Sequence, residues 1–198
     1  MTPICGTTIP EMRAWADQVV EVAAQALASA TPSAEPFVFR TDSRTVALPL
    51  EVWNAEEIDQ RVADWRAACP GKTPTEKRYL AVLTRWREER RYSLRQAGHD
   101  RIEAELMAVR LGSLTLMGVN AEVFTHFTAH LREQTGQDVY TLGCCNGVCG
   151  YLPHEAAYDE GGYEPGNSFL FYNTFRIKRG GLEALAEQAT DLMKGLDA

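Results

Sequence analysis

Apolar residues recur along this chain with two different periods, and the switches between them mark out elements. In residues 10–29, Met12, Trp15, Val19, Val22, Ala23 and Leu27 follow one another at helical spacing, which predicts an amphipathic helix. Pro10 stands where a first-turn proline is tolerated. Residues 30–36, rich in Pro, Ser and Ala, read as a link. Phe37 and Phe39, and later Val46, Leu48 and Leu50, alternate with polar residues as strand positions do, and the turn-forming pair Asp42-Ser43 predicts a break between them.

Two helices are expected next. Asn54 with Glu57 makes a capping box, and Ile58, Val62, Trp65 and Cys69 form the stripe behind it. Thr73-Pro74-Thr75-Glu76 supplies a cap, a first-turn proline and a glutamate at the third helical position, with Tyr79, Leu83 and Trp86 on one face. Pro70-Gly71 punctuates the two. Residues 54–92 therefore read as a helical hairpin inserted into the domain and laid against something else. They carry no chemical signature.

From Arg101 the period returns to two. Ile102, Ala104, Leu106 and Ala108 mark a strand, Gly112-Ser113 a tight turn, and residues 114–119 a more fully buried returning strand. A helix over residues 121–135, capped by Asn120 and ended by Gly136, follows. Residues 139–142 read as a short strand, 143–168 as glycine-rich and irregular, and 181–196 as a last amphipathic helix. Strands and helices mix throughout, so the expected class is α/β, with α+β as the variant: a mixed sheet with flanking helices in one domain.

Composition narrows the partners. The formal charge is −7 over 198 residues, and an acidic balance argues against nucleic acid or an anionic membrane surface. The densest basic run, RWREERR at 85–91, is interrupted by two glutamates and reads as a solvated helix face. No stretch approaches the roughly 20 apolar residues of a membrane span, and no basic leader precedes an apolar core at the N-terminus. Five cysteines, three of them at Cys144, Cys145 and Cys149, do not make the even framework of a secreted domain. The expectation is a reducing, cytoplasmic compartment for a chain complete as written.

Three segments could carry chemistry. At the strand-to-helix junction, Asn120 as a cap would place Glu122 in the first helical turn, where α/β proteins assemble sites; the plainer reading is a glutamate favoured by the helix dipole. The loop Gly143-Cys144-Cys145-Asn146-Gly147-Val148-Cys149-Gly150-Tyr151-Leu152-Pro153 suits the lining of a site. Its thiols admit zinc, though small free cysteines are commonly just buried. Gly161-Gly162-Tyr163-Glu164 is a sharp bend that presents a side chain. Glu122, His126 and His130 recur every four residues, a stripe that can grip zinc or simply border the face of Val123, Phe127 and Leu131. His154 and His99 show no partner pattern. A hydrolase using Cys145 or Cys149 with His126 or His154 stays open beside these readings.

Taken together, LTLMGVNAEVFTHFTAHLRE, VYTLGCCNGVCGYLPHEAAY and EGGYEPG resemble, in order and spacing, the C-terminal half of the catalytic domain of the neutral/alkaline ceramidase-like family. The resemblance implies a zinc-dependent amidohydrolase acting on ceramide-like lipid amides. It implies Glu122 as the carboxylate ligand and Tyr163 as the phenolic ligand, with residues 146–153 lining the site. The family's histidine ligands come from an upstream half, and none of this chain's histidines matches them. The expectations are therefore a half-domain that supplies oxygen ligands to one zinc ion and is inactive alone, or a non-catalytic module needing that half or a second copy as partner.

Overall fold

A computed structural model describes residues 8–32 and 38–196. The chain divides into two units, Met1–Pro36 and Phe37–Ala198. Phe37 and residues 33–36 of the expected link lie outside the described residues. Among its described residues the first unit holds one helix, α1 (Ile9–Ser29), started by a capping box in which Thr8 accepts from Glu11 N and the Glu11 side chain accepts in return. The periodic residues Met12, Trp15, Val19, Val22 and Leu27 are exposed on it.

The second unit is α/β. It runs β1 (Phe39–Glu51), α2 (Ala55–Ala68), α3 (Pro74–Ser93), β2 (Arg101–Leu111), β3 (Leu114–Val119), β4 (Glu122–Val123), α4 (Thr125–Thr135), β5 (Val139–Leu142) and β6 (Tyr151–Leu152). Three single-turn helices follow, α5 (Ala157–Glu160), α6 (Tyr163–Gly166) and α7 (Ser168–Phe171), then β7 (Arg176–Ile177) and α8 (Gly181–Gly195). The mixed sheet has the order β5-β3-β2-β1-β7, and a second pair, β4 with β6, stands apart from it. β1, β2, β3 and β7 pair antiparallel, and β3 pairs parallel with β5 because α4 carries the chain back between them.

Period-two patterning decides which face of this sheet is covered. Leu48, Ala104, Leu106, Ala108, Met117, Val119 and Val139 are buried beneath α4 and α8, which also pack on each other. Met107, Tyr140 and Leu142 alternate with them and are exposed on the opposite face. β1 is not broken at Asp42-Ser43. It runs straight through, with Asp42 opposite Ala108 and Ser43 opposite Met107, because pairing along the whole length of β2 outweighs a local turn preference.

The hairpin of α2 and α3 forms as its caps predict, with both capping boxes closed. It packs by aromatic edges. Trp53 meets Trp65, Trp86, Phe169 and Phe175 with ring centroids 5.6–6.4 Å apart, and buried Trp86 donates its indole N–H to Thr174 O at 2.6 Å. The basic run is more than a solvated face. Arg87 and Arg91 both reach Asp59 on α2, at 2.7 and 2.6 Å, while Arg90 lies over the Phe175 ring.

The start of α4 differs most from expectation. The helix begins at Thr125, after Phe124, without a side-chain cap. Asn120 caps nothing: its Oδ1 accepts from Glu105 N at 2.7 Å and its N–H donates to Glu105 O. Glu122 is therefore strand rather than first helical turn, and the helix-dipole explanation for it falls away.

Candidate functional site

Glu122 is held by backbone on both sides. Its N–H donates to Gly150 O at 2.9 Å, and parallel pairing sets it opposite Tyr151 and Val123 opposite Leu152. The loop 143–150 is laced to the link between β3 and β4: Cys145 N to Val119 O at 2.9 Å, Cys149 N to Asn120 O at 2.7 Å, and Cys144 N to Ala121 O at 3.1 Å. Such a path needs left-handed backbone. Cys144 and Asn146 adopt it at φ 58° and 60°, the latter with its side-chain amide donating to Glu105 Oε1 at 3.1 Å. Gly150, at φ 138°, occupies a region that side chains rarely tolerate, which explains a glycine where the chain passes Glu122.

Three tyrosines cluster beside this carboxylate. Tyr172, just beyond α7, donates its hydroxyl to Glu122 Oε1, and Tyr151 stands opposite Glu122 in the β4–β6 pairing. Tyr151 meets Tyr163 and Tyr172 edge-on at 5.9 and 6.0 Å, and Tyr163 packs at 5.8 Å from Phe171. Glu122 beside it holds the Tyr151 proton far above its ordinary range, with burial adding to the effect. Burial first, then the Glu122 hydrogen bond, does the same for Tyr172. Tyr163 is raised by burial and by the charges of Glu122 and Glu164. A carboxylate that pins phenol protons in this way is a concentrated negative site; a cation there would release them.

The bend that presents Tyr163 is as expected: Gly161 and Gly162 take φ 75° and 103°, and Tyr163 is 45% exposed. Phe171 and Val148 are exposed nearby in sequence to these groups, and Tyr79 of α3 lies 6.4 Å from Phe171. The rim of the cluster is thus aromatic. Glu122 and Tyr163 belong to one cluster through intermediaries: Tyr172 hydrogen-bonds Glu122, and Tyr151 packs against both Tyr172 and Tyr163. Tyr151 had a local signal, the Gly-Tyr at the end of the glycine-rich loop. Tyr172 had none.

Cys149 does not stand as an activated nucleophile requires. Cys69, Cys144, Cys145 and Cys149 are free thiols, and burial pushes the Cys149 thiol up to about 11, the wrong direction for a thiolate at neutral pH. The expected stripe of Glu122, His126 and His130 is split, because Glu122 precedes the helix. His126 instead stacks on His154 at 3.6 Å, with the rings 12° from parallel, so His154 does have a partner. Among the described residues, no three His, Cys, Asp or Glu side chains already stand as a metal-holding group.

No helix among the described residues is long and apolar enough to cross a membrane. Comparison with family models and with curated proteins finds no match to this chain.

Proposed function

We propose that the Glu122–tyrosine cluster is the oxygen-donor half of a zinc amidohydrolase centre acting on ceramide-like N-acyl lipid amides. Imidazole donors would come from an upstream half of the domain or from a second chain. The observation that carries the reading is one aromatic cluster, built from segments far apart in sequence, in which Tyr172 hydrogen-bonds Glu122 and Tyr151 packs edge-on against both Tyr172 and Tyr163. Glu122 and Tyr163 are the two positions singled out by the family resemblance.

The donor chemistry fits as half a coordination shell. Carboxylate and phenol oxygens serve zinc when nitrogen ligands complete the set, and serve it poorly alone. Glu122 and Tyr163 would hold the ion. Tyr172 would act through its hydrogen bond to Glu122, fixing its orientation as outer-shell partners do, with Tyr151 packed against Tyr172. Zinc there would polarise the amide carbonyl and acidify a neighbouring water. The aromatic rim of Tyr163, Phe171 and Tyr79 would take up part of an acyl chain.

Zinc titration by calorimetry tests this. Its background is H126A/H130A/H154A, which leaves the oxygen cluster as the binding centre under study. The chain alone should bind weakly, E122Q and Y163F should each remove most of that binding, and an added upstream half bearing two histidines should give tight binding and hydrolysis of an N-acyl amide. Zinc affinity in this background indifferent to both E122Q and Y163F would overturn the reading. A second reading, a non-catalytic module used in assembly, draws on the exposed Met107, Tyr140 and Leu142 of the uncovered sheet face. A monomer at every concentration in sedimentation would count against it.

A further inference from the structure

The two edges of β1 are unequally used. On one side it pairs with β2 from Phe39 to Pro49. On the other, β7 covers only Leu50 and Glu51. Parity shows which groups are left over. Val38 O accepts from Gly112 N and Leu50 N donates to Asp100 O on the β2 side, whereas Pro49 O accepts from Lys178 N on the other. In an antiparallel ladder both main-chain groups of a residue point the same way. Even-numbered residues of β1 therefore serve β2, and the N–H and C=O groups of Phe39, Thr41, Ser43, Thr45 and Ala47 face an open edge. Among the described residues no neighbouring strand takes them up. Asp42 Oδ1 bends back to the Ser43 N–H at 2.8 Å, a local substitute for a missing neighbour.

An edge of this length is normally blunted by proline, lysine or a bulge. Residues 39–48 contain neither proline nor lysine, and their register with β2 is unbroken. The side chains choose the occupant. A second β1, antiparallel about a twofold axis, must set odd residues opposite odd residues. An axis at Asp42 opposes Asp42 to itself and Arg40 to Arg44, and an axis at Arg44 opposes that arginine to itself; like charges directly opposite destabilise a sheet. An axis at Thr41 pairs Arg40 with Asp42 but leaves the second half of the open edge unpaired. An axis at Ser43, the midpoint of 39–47, sets Asp42 against Arg44 in both directions and Thr41 against Thr45, and gives every residue of the open edge a partner. Among the described residues neither Asp42 nor Arg44 has an ionic partner within the chain; Arg44 bonds the neutral Gln188 Oε1 at 2.9 Å. We propose that two copies of this chain join β1 to β1 about a twofold axis at Ser43, forming one continuous sheet.

The contact is isologous, as a closed dimer requires. It adds about ten main-chain hydrogen bonds, two for each facing pair of odd residues. Met107, which pairs with Ser43, lies beside the axis in each copy, so the exposed sheet face runs on across the dimer. No residue of the Glu122 cluster is on this edge, and the dimer and the zinc centre stand or fall separately.

Sedimentation of the full chain, with disulfide trapping, tests the pairing. The chain should sediment as a dimer. S43P should give a folded monomer, because proline is tolerated where the N–H points away from the ladder yet blocks a strand from adding there. D42R should weaken the dimer roughly tenfold or more by opposing like charges twice, and the swap D42R/R44D should restore it. Facing Ser43 residues stand about 5.5 Å apart at Cα, within the roughly 4.4–6.8 Å of a disulfide. S43C should therefore cross-link under mild oxidation far beyond the parent chain with its native cysteines, and T41C should do so only together with T45C. Circular dichroism controls for folding, and the charge swap decides the matter if S43P does not fold. A chain that stays monomeric at every concentration would overturn the proposal. So would a dimer indifferent to D42R and not trapped by S43C.

Discussion

At the scale of single residues, the Glu122 cluster makes a prediction that needs no ligand. Tyr151 keeps its proton far above the ordinary phenol range chiefly because of Glu122 beside it, and Tyr172 chiefly because of burial and then of Glu122. Burial likewise raises Tyr158 to about 12. Above a pH of about 10 the unfolded chain gives up these protons first, so the native state binds more protons than the unfolded one and stability falls as pH rises. Ultraviolet titration of tyrosine should therefore show a late-ionising group. E122Q should move Tyr151 back towards ordinary behaviour, Tyr172 only part of the way, and Tyr158 not at all. An unchanged titration curve in E122Q would show that Glu122 does not hold these phenols. Glu122 and Tyr163 stand out in the sequence only through the family resemblance, since alone the one reads as a first-turn glutamate and the other as part of a glycine bend. The contacts of Tyr172 and His154 were not legible, since a partner far along the chain leaves no period to read. His126 was legible as a candidate, but its partner was misjudged: the stripe it shares with His130 does not extend back to Glu122.

At the scale of elements, local rules succeeded where the backbone's needs are met locally. The capping boxes at Asn54 and Thr73 start α2 and α3 where the sequence places them, because a cap satisfies orphan N–H groups within one turn. The same reasoning failed at Asn120, whose side chain looks like a cap but is claimed by the neighbouring strand through Glu105 N. It failed again at Asp42-Ser43, where eleven β1–β2 pairs impose a straight strand. The hairpin's attachment follows the same hierarchy. Trp86 is fully buried among rings and donates to Thr174 O, so W86A should cost about 3–5 kcal/mol in urea denaturation. Half-exposed Asp59, although shared by two arginines, should matter far less, since exposed pairs contribute little. D59N destabilising as much as W86A would mean that charge, not aromatic packing, fixes the hairpin.

At the scale of the whole molecule, the hydrophobic core and the Glu122 cluster lie in the second unit. The buried core runs from Leu48 to Leu196, and the sheet, the hairpin, α4 and α8 all contribute to it, whereas α1 contributes no buried residue. Folding cooperativity follows buried surface, and so does the dependence of stability on denaturant. A chain beginning at Phe37 should therefore unfold in one transition with nearly the denaturant dependence of the full chain and a melting temperature within a few degrees of it. Only the helical signal of α1 should be lost from the far-ultraviolet spectrum. The truncated chain should also keep the late tyrosine ionisation, because every residue of the Glu122 cluster is retained. A second transition in the full chain, absent from the truncated one, would show that α1 folds as a unit of its own. A drop in stability of more than about 2 kcal/mol, a large fraction of what a domain has, would show instead that residues 1–36 supply packing to the second unit.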